Sequence, residues 1–349
     1  MTGTTVVRPR GLSGRGWAYA RFLGGRLAGT VLVLLIIALI SYLIFYVLPS
    51  DPAQLSCGRP CTADRLAQAR AFMGYNQPWW RQFLAYLSGI VAGRTFGSGQ
   101  AAITCSAPCF GYSFRLNEPV TQLILQRIPV TFSIAIGAAV LWLIIGVSTG
   151  VISALRRGSL IDRTLMTISI AGVSAPAYLA GLLGIFIFGF RLNMVPVNGY
   201  VPLTQDPVEW LWHLVLPWIV LALLNAAIYT RLTRGQMLEV MGEDYIRTAR
   251  AKGLSEGRTI GRHALRNVLI PVATVFGLDL GSLLGGVVIT EKVFAMQGLG
   301  ALLLDAVGNL DLQVLVGVTL FSAFLIIVAN FVVDISYGLL DPRIKAVAR

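Results

Sequence analysis

Ile128-Pro-Val-Thr-Phe-Ser-Ile-Ala-Ile-Gly-Ala-Ala-Val-Leu-Trp-Leu-Ile-Ile-Gly-Val-Ser-Thr-Gly-Val-Ile-Ser-Ala-Leu155 is a run of 28 residues with no Asp, Glu, Lys or Arg. At 1.5 Å per residue it makes a helix about 42 Å long, enough to cross a hydrocarbon core of about 30 Å. A soluble helix needs a polar face. An apolar run longer than about 18 residues has none, so it reads as a membrane span. Five more runs qualify. They are Leu27–Leu48, closed by Pro49; Thr164–Phe190; His213–Thr230, with Trp210, Trp212 and Trp218 as an interfacial belt at its start; Asn267–Thr290; and Leu312–Val333. All are read as helices, because a lone strand facing lipid leaves its backbone unpaired. The expected fold is an all-α polytopic membrane protein with six transmembrane helices.

Composition agrees. Of 349 residues 56% are apolar and 13% charged, against roughly 25% charged in a soluble domain. Disorder, collagen, coiled coil and small disulfide scaffolds are excluded by the same figures. The net charge is +12, which suits nucleic acid or basic membrane loops. Placement decides. With both termini inside, the inner segments hold 19 of the 28 Lys and Arg residues and the outer ones 9. Seven of those 9 lie in one long loop, where charge has little weight on orientation. Both termini are therefore expected in the cytoplasm of a bacterial-type inner membrane, and nucleic acid is not an expected partner. The tail before Leu27 carries five arginines and no acid. It could open a signal peptide, but the 22-residue apolar run that follows exceeds an h-region of about 7–15 residues, so a retained span is expected.

The expected divisions are a tail (1–26), the first span (27–48), an extracytoplasmic subdomain (49–127), a five-helix core (128–336) and a C-terminal tail (337–349). In the outer segment helices are expected around Asp64–Phe72 and Trp79–Ser88, with Gly89–Tyr112 irregular. All four cysteines lie there, as Cys57-Gly-Arg-Pro-Cys61 and Cys105-Ser-Ala-Pro-Cys109. On an oxidising face they suggest disulfides, in any of three pairings. A zinc or iron–sulfur site is one alternative, although zinc spacing is usually C-x2-C rather than C-x3-C, and free thiols are the other.

Enzyme chemistry has little support. The dipeptide Gly-Lys does not occur, so no P-loop can hold ATP here. No H-E-x-x-H is present, and the two histidines, His213 and His263, read as structural. No catalytic, cofactor or metal residue is expected. Polar groups inside spans are functional candidates by default. Asp279 is the one acid in the middle of a span, placed either in packing or on a watery path, and the path is the candidate role taken forward. Asn225, Asn330 and Asp334 are further candidates. Gly277, Gly281 and Gly285 make a small-residue ridge that permits close helix approach, and Gly146-x-x-x-Gly150 is a single weaker instance.

The segment 231–266 is the longest loop on the inner side. It reads Glu243-Asp-Tyr-Ile-Arg-Thr-Ala-Arg-Ala-Lys-Gly253-Leu-Ser, then Gly257-Arg-Thr-Ile-Gly-Arg-His-Ala-Leu-Arg-Asn-Val-Leu-Ile-Pro271. Glu243 and Asp244 at the start, Arg250 and Lys252 at the end and Gly253 beyond predict a helix over 245–252 with Asp244 as its cap. The loop resembles the EAA coupling loop of ABC-importer permeases, E-A-A-x3-G-x9-I-x-L-P. Aligning Gly253 places Arg247-Thr248-Ala249 on E-A-A and His263-Ala264-Leu265-Arg266 on I-x-L-P; Ala249, Gly253 and Leu265 match strictly. The dipeptide/oligopeptide/nickel branch is closer, reading much like T-A-R-A-K-G-L and R-H-A-L-R-N. Asn76-Gln-Pro78, Gly111-Tyr-Ser113, Glu291-Lys-Val-Phe294, Gly298-Leu-Gly300 and Asn330-x3-Asp334-x2-Tyr337-x3-Asp341-Pro-Arg343 are similar as well. The chain resembles the first of the two permease subunits in that branch.

The resemblance implies a type I ABC importer for a small solute, di- or oligopeptides foremost. Its partners would be a second homologous permease subunit, two ATP-binding cassette subunits, an extracytoplasmic solute-binding protein and membrane lipid. ATP and Mg would be used by the cassette subunits, with no cofactor on this chain. Tyr245, Arg247, Thr248, Ala249, Arg250, Gly253 and Leu265 would form the coupling loop, with Tyr245, Ala249 and Gly253 on one docking face and Arg258 on the rim. The competing reading is a six-span secondary transporter or channel, which calls for an inverted repeat, broken helices or a filter loop; no internal repeat is visible.

Overall fold

The computed structural model describes residues 13–47, 53–54, 61–73, 77–97, 102–284 and 287–340. Among the described residues five helical segments are long and apolar enough to cross a membrane: Leu27–Tyr46, Val120–Leu155, Pro207–Met241, Glu256–Gly281 and Leu312–Val332. A bent pair, Leu160–Ser174 and Ala177–Arg191, makes six if it is one span.

Helix α1 (Ser13–Tyr42) ends in a π-type turn at Val47; Leu48 lies outside the described residues. The segment expected outside holds α2 (Ala63–Met73) and α3 (Trp79–Ala92), near the expected positions. The stretch expected to be irregular is not wholly so. Strands β1 (Arg94–Phe96) and β2 (Ile103–Cys105) pair antiparallel, with Arg94 opposite Cys105. Strands β3 (Tyr112–Ser113) and β4 (Glu118–Pro119) form a second small pair. Buried Phe96, Cys105, Cys109 and Tyr112 share a small core, which the Gly/Ala/Ser-rich composition around them hides.

Helix α4 (Val120–Leu155) and helix α7 (Pro207–Met241) form the central pair. Asp206 caps α7 by accepting from the N–H groups of Val208 and Glu209, and Pro207 opens the first turn where its missing N–H costs nothing. The helix runs 11 residues past the expected end at Thr230. The glycines of α4 set the crossing. A Cβ at Gly146 would stand 2.5 Å from Tyr229 Cβ, and one at Gly150 2.6 Å from Thr233 Cβ. The motif that read as the weaker of two ridges therefore makes this close contact. Two tryptophans of the expected belt turn inward: the Trp210 and Trp218 indoles donate to Ser133 Oγ and Ser133 O, while Trp212 stays exposed.

The third span is not one helix. Helix α5 (Leu160–Ser174) and helix α6 (Ala177–Gly184, continued by a π-type turn to Arg191) meet at 103°. Pro176 has no N–H to donate and clashes with helical backbone before it, so Ala175 is extended at φ −78, ψ 127.

The fifth span is also divided. Helix α8 (Asp244–Ala251) leads through α9 (Glu256–Arg258) and a π-type turn (Thr259–Ala264) into α10 (Leu265–Leu284). Residues up to Thr290 were expected to continue it. Thr290 instead belongs to α11 (Val288–Val293), and α12 (Leu299–Asn309), which periodicity did not announce, follows. Helix α13 (Leu312–Leu340) closes the bundle and packs on α10, where Gly281 stands against Ile326, Ala329 and Asn330. Gly285 lies outside the described residues.

Candidate coupling and translocation site

Helix α8 begins at Asp244, one residue earlier than expected, so Glu243 occupies the cap position and its side chain makes no capping bond. Its end is the Schellman arrangement that the glycine foretold. Gly253 sits at φ +77, its N–H donates to Arg250 O, and the Leu254 N–H donates to Ala249 O. Arg250 then holds Glu256 through two bonds, Nε at 2.8 Å and Nη2 at 3.3 Å. Tyr245 Oη accepts from Asn267 Nδ2 at 2.6 Å, tying α8 to α10. These contacts hold a short helix that has too few residues to be stable alone.

The face of α8 differs from the expected one. Ala249 is 7% exposed and lies beside fully buried Ile246, so it packs inward rather than outward. The reason is period: Ile246 and Ala249, three apart, share the stripe turned to the bundle. Tyr245, Arg247, Thr248, Arg250 and Gly253 are on the exposed side, and Leu265 is half-buried. Arg258 is exposed as well.

Asp279 is half-buried on α10 and accepts from Tyr229 Oη of α7 at 2.7 Å. Tyr229 is fully buried, with the rings of Trp142 6.0 Å away; Phe276 lies 6.1 Å from Trp142. The acid therefore joins two helices through an aromatic cluster. The sequence marked Asp279 but not Tyr229, because a tyrosine in an apolar run carries no signal of its partner.

At the opposite end of the bundle from α8, two buried acids organise the connections. Glu291 is fully buried; it accepts from Thr131 Oγ1 at 2.7 Å and from the Ala301 N–H at 2.7 Å, and also from the Gly300 N–H. Thr131 accepts in turn from the Leu299 N–H. The carboxylate thus fills the N-terminus of α12 and pins it to α4. Burial pushes the Glu291 carboxyl above its ordinary value, and these bonds pull the other way. Asp311 caps α13 through the Val314 N–H and accepts from Ser113 Oγ at 2.5 Å. Gly111 leaves no room for a Cβ beside Gln313 Oε1. The Gly111-Tyr-Ser113 and Glu291-to-Gly300 motifs are thus two places where loops lock onto helices.

Cys105 and Cys109 form a disulfide with Cα atoms 5.6 Å apart. Cys61 is disulfide-bonded too; Cys57 lies outside the described residues. Gly146-Val-Ser-Thr-Gly150 has the G-x-S-x-G spacing of a nucleophile elbow, but it lies within an unbroken helix, where no elbow forms. Among the described residues no group of three or more His, Cys, Asp or Glu side chains could hold a metal ion.

Another acid was missed. Asp162 is 4% exposed and is held by Arg234 of α7. Ser159-x-x-Asp162 has capping-box spacing, and the Ser159 side chain does accept from the Asp162 N–H. That signal could have flagged the helix start, though not the arginine.

Among the described residues, five or six candidate spans, an exposed short helix at one end and loops locked by buried acids at the other describe a polytopic membrane protein. Residues 146–346 match the family of the binding-protein-dependent transport system inner membrane component, and residues 19–135 match the N-terminal membrane component of such systems. The chain belongs to this family and is a permease component of an ABC importer, a multi-pass inner membrane protein. A Brucella abortus (strain 2308) protein named for a peptide transport system permease is 38% identical over 320 residues, 92% of this chain and 97% of that one. The di/tripeptide transport system permease protein DppB of Pseudomonas aeruginosa (strain UCBPP-PA14) is 37% identical, covering 88% and 94%. The dipeptide transport system permease protein DppB of Escherichia coli (strain K12) is 35% identical with the same coverage. The inward-facing MetNI methionine ABC transporter shares the fold, with TM-score 0.51 and 18% identity over 63% of this chain and 97% of that one.

Proposed function

We propose that this permease carries di- or oligopeptides, delivered by an extracytoplasmic solute-binding protein, and that α8 is where an ATP-binding cassette subunit docks. The relatives named for peptide and dipeptide transport support the substrate class. The docking reading rests on one observation: α8 is an exposed helix seated on buried Ile246 and braced on its exposed side by Asn267 and Glu256. Its outward side presents Thr248 and Arg247, the latter able to pair with an acid beside a groove, while Arg250 is already held by Glu256. A second homologous permease completes the pore, two cassette subunits use ATP and Mg, and this chain supplies no catalytic group. Both termini and α8 face the cytoplasm, following the basic-residue count. Asp279 borders the path.

Thr248→Glu tests the docking. Thr248 is exposed and bonds back to its own helix, at Asp244 O, so the fold should persist while bulk and an acid enter the contact. Uptake of a labelled dipeptide by cells lacking other peptide importers should fall at least tenfold, and cassette subunits should no longer copurify. Normal uptake removes α8 from coupling. Mass spectrometry of what copurifies with the cognate solute-binding protein tests the substrate; a cargo other than peptide overturns that part.

A further inference from the structure

Asp162 stands in the first turn of α5, at the start of the bent third span. All four of its acceptor positions are taken, by three different elements. Oδ1 accepts from Ser153 Oγ of α4 at 2.5 Å and from Arg234 Nε of α7 at 2.7 Å. Oδ2 accepts from the Gly158 N–H of the intervening turn at 2.9 Å and from Arg234 Nη2 at 2.9 Å. The planar guanidinium makes a two-bond fork that fixes orientation as well as distance.

The surroundings give this pair a direction. Next to Arg234, Thr233 is fully buried against Gly150. One turn earlier Thr230 and Thr149 share a hydroxyl bond of 2.7 Å. Beyond Arg234, Met237 of α7, Ile246 of α8 and Ala154 of α4 lie in one core. Helix α8 follows α7 after only Gly242 and Glu243 and sits on the π-type turn Thr259–Ala264, so the chain itself joins it to the lower end of α7. Farther along, α5 lies against α7 at Gly172 and Ala227, but at its start Leu160 is 79% exposed and Ile161 40%. The ion pair fastens it there. At its far end α5 breaks by 103° into α6, where Gly181 stands against Val293 of α11, two residues from Glu291.

We infer that Asp162 and Arg234 are positioning residues for transport: their bond makes the broken span move with α7 and α8, so that displacement at α8 reaches the other end of the bundle. The inference rests on the reading of α8 as the cassette-docking helix. A purely structural brace would hold α5 in place but would not set how much transport each ATP hydrolysis yields.

The test uses the whole importer, with both permeases, the cassette subunits and the binding protein, reconstituted in vesicles. ATP hydrolysis and uptake of labelled dipeptide are measured on the same intact complex. For Asp162→Asn and Arg234→Gln the complex should purify, hydrolysis should stay within about twofold of wild type, and uptake per ATP should fall at least tenfold. Arg234→Lys keeps the charge but loses the fork, and should lie between. If the first two variants do not purify, Arg234→Lys alone decides. An unchanged uptake-to-ATP ratio, with both activities falling together or neither falling, overturns the inference. Thr248→Glu runs in parallel. If it abolishes cassette association while the Asp162 and Arg234 variants keep the normal ratio, only this inference fails. If Thr248→Glu also changes nothing, the reading of α8 fails with it.

Discussion

Glu291 shows how one acid can hold a fold at a point where charge is costly. Its carboxylate receives the Thr131 hydroxyl and the first N–H groups of α12. Glu291→Ala leaves those donors buried and unpaired, at about 1–3 kcal/mol each. A lower melting temperature of the purified permease checks this, and Gly298→Ala should mimic it, because a Cβ there collides with the same carboxylate. The pH dependence follows from burial. A raised carboxyl value means that the folded state binds the proton more tightly than the unfolded one, so this contribution is full below the unfolded value of about 4.3 and is lost as pH rises through the folded value. Wild type should therefore gain stability relative to Glu291→Gln on acidification from neutral pH, read from melting at several pH values. Asp279 separates two roles in a similar way. Asp279→Asn retains an oxygen for Tyr229, so assembly should survive, and a fall in uptake would report the charge itself. Full uptake with Asn would leave Asp279 a helix–helix contact.

Among the helices, the contact of α4 with α7 depends on the absence of side chains. Gly150→Val should force the helices apart, because Thr233 Cβ and Thr230 O lie within 2.8 Å of the new Cβ. Overpacking of this kind costs about 1–3 kcal/mol. Gly235 is the internal control: it lies in α7, and a Cβ added there would meet nothing within 4 Å among the described residues. Gly235→Ala should stabilise by about 0.5–1 kcal/mol through helix propensity alone. Opposite shifts in melting temperature confirm the pair, and a loss of stability for both would mean that α7 meets another surface at Gly235. The broken third span carries the parallel lesson. Hydropathy read Thr164–Phe190 as continuous because it does not register the missing N–H of Pro176.

For the molecule as a whole, the proposed function places partners at the segment expected outside and at the α8 end. The orientation proposal places an alkaline-phosphatase reporter outside when fused after Gly99 and inside when fused after Gly257; activity at the second site alone would invert the topology. The Cys105–Cys109 bridge closes a short loop next to Tyr112 and Ser113, which lock onto α13. In the chain-entropy model a loop this short contributes about 2 kcal/mol. Reduction, or Cys105→Ser with Cys109→Ser, should loosen protease protection of residues 94–119 while the spans remain protected. Equal protection with and without the bridge would leave it no bracing role.

The sequence by itself determined the membrane character, six apolar stretches and the short helix that ends at Gly253. Each follows from local rules: bilayer thickness sets run length, and a left-handed glycine ends a helix wherever it falls. Tertiary structure decided the rest. It turned Ala249 inward, because which stripe of α8 faces the bundle depends on where α7 and α10 lie. It paired Asp162 with Arg234 and Asp279 with Tyr229, residues 72 and 50 apart in the chain. A buried charge announces that a partner must exist, since solvation in lipid or protein is poor, but only the packed helices choose which one.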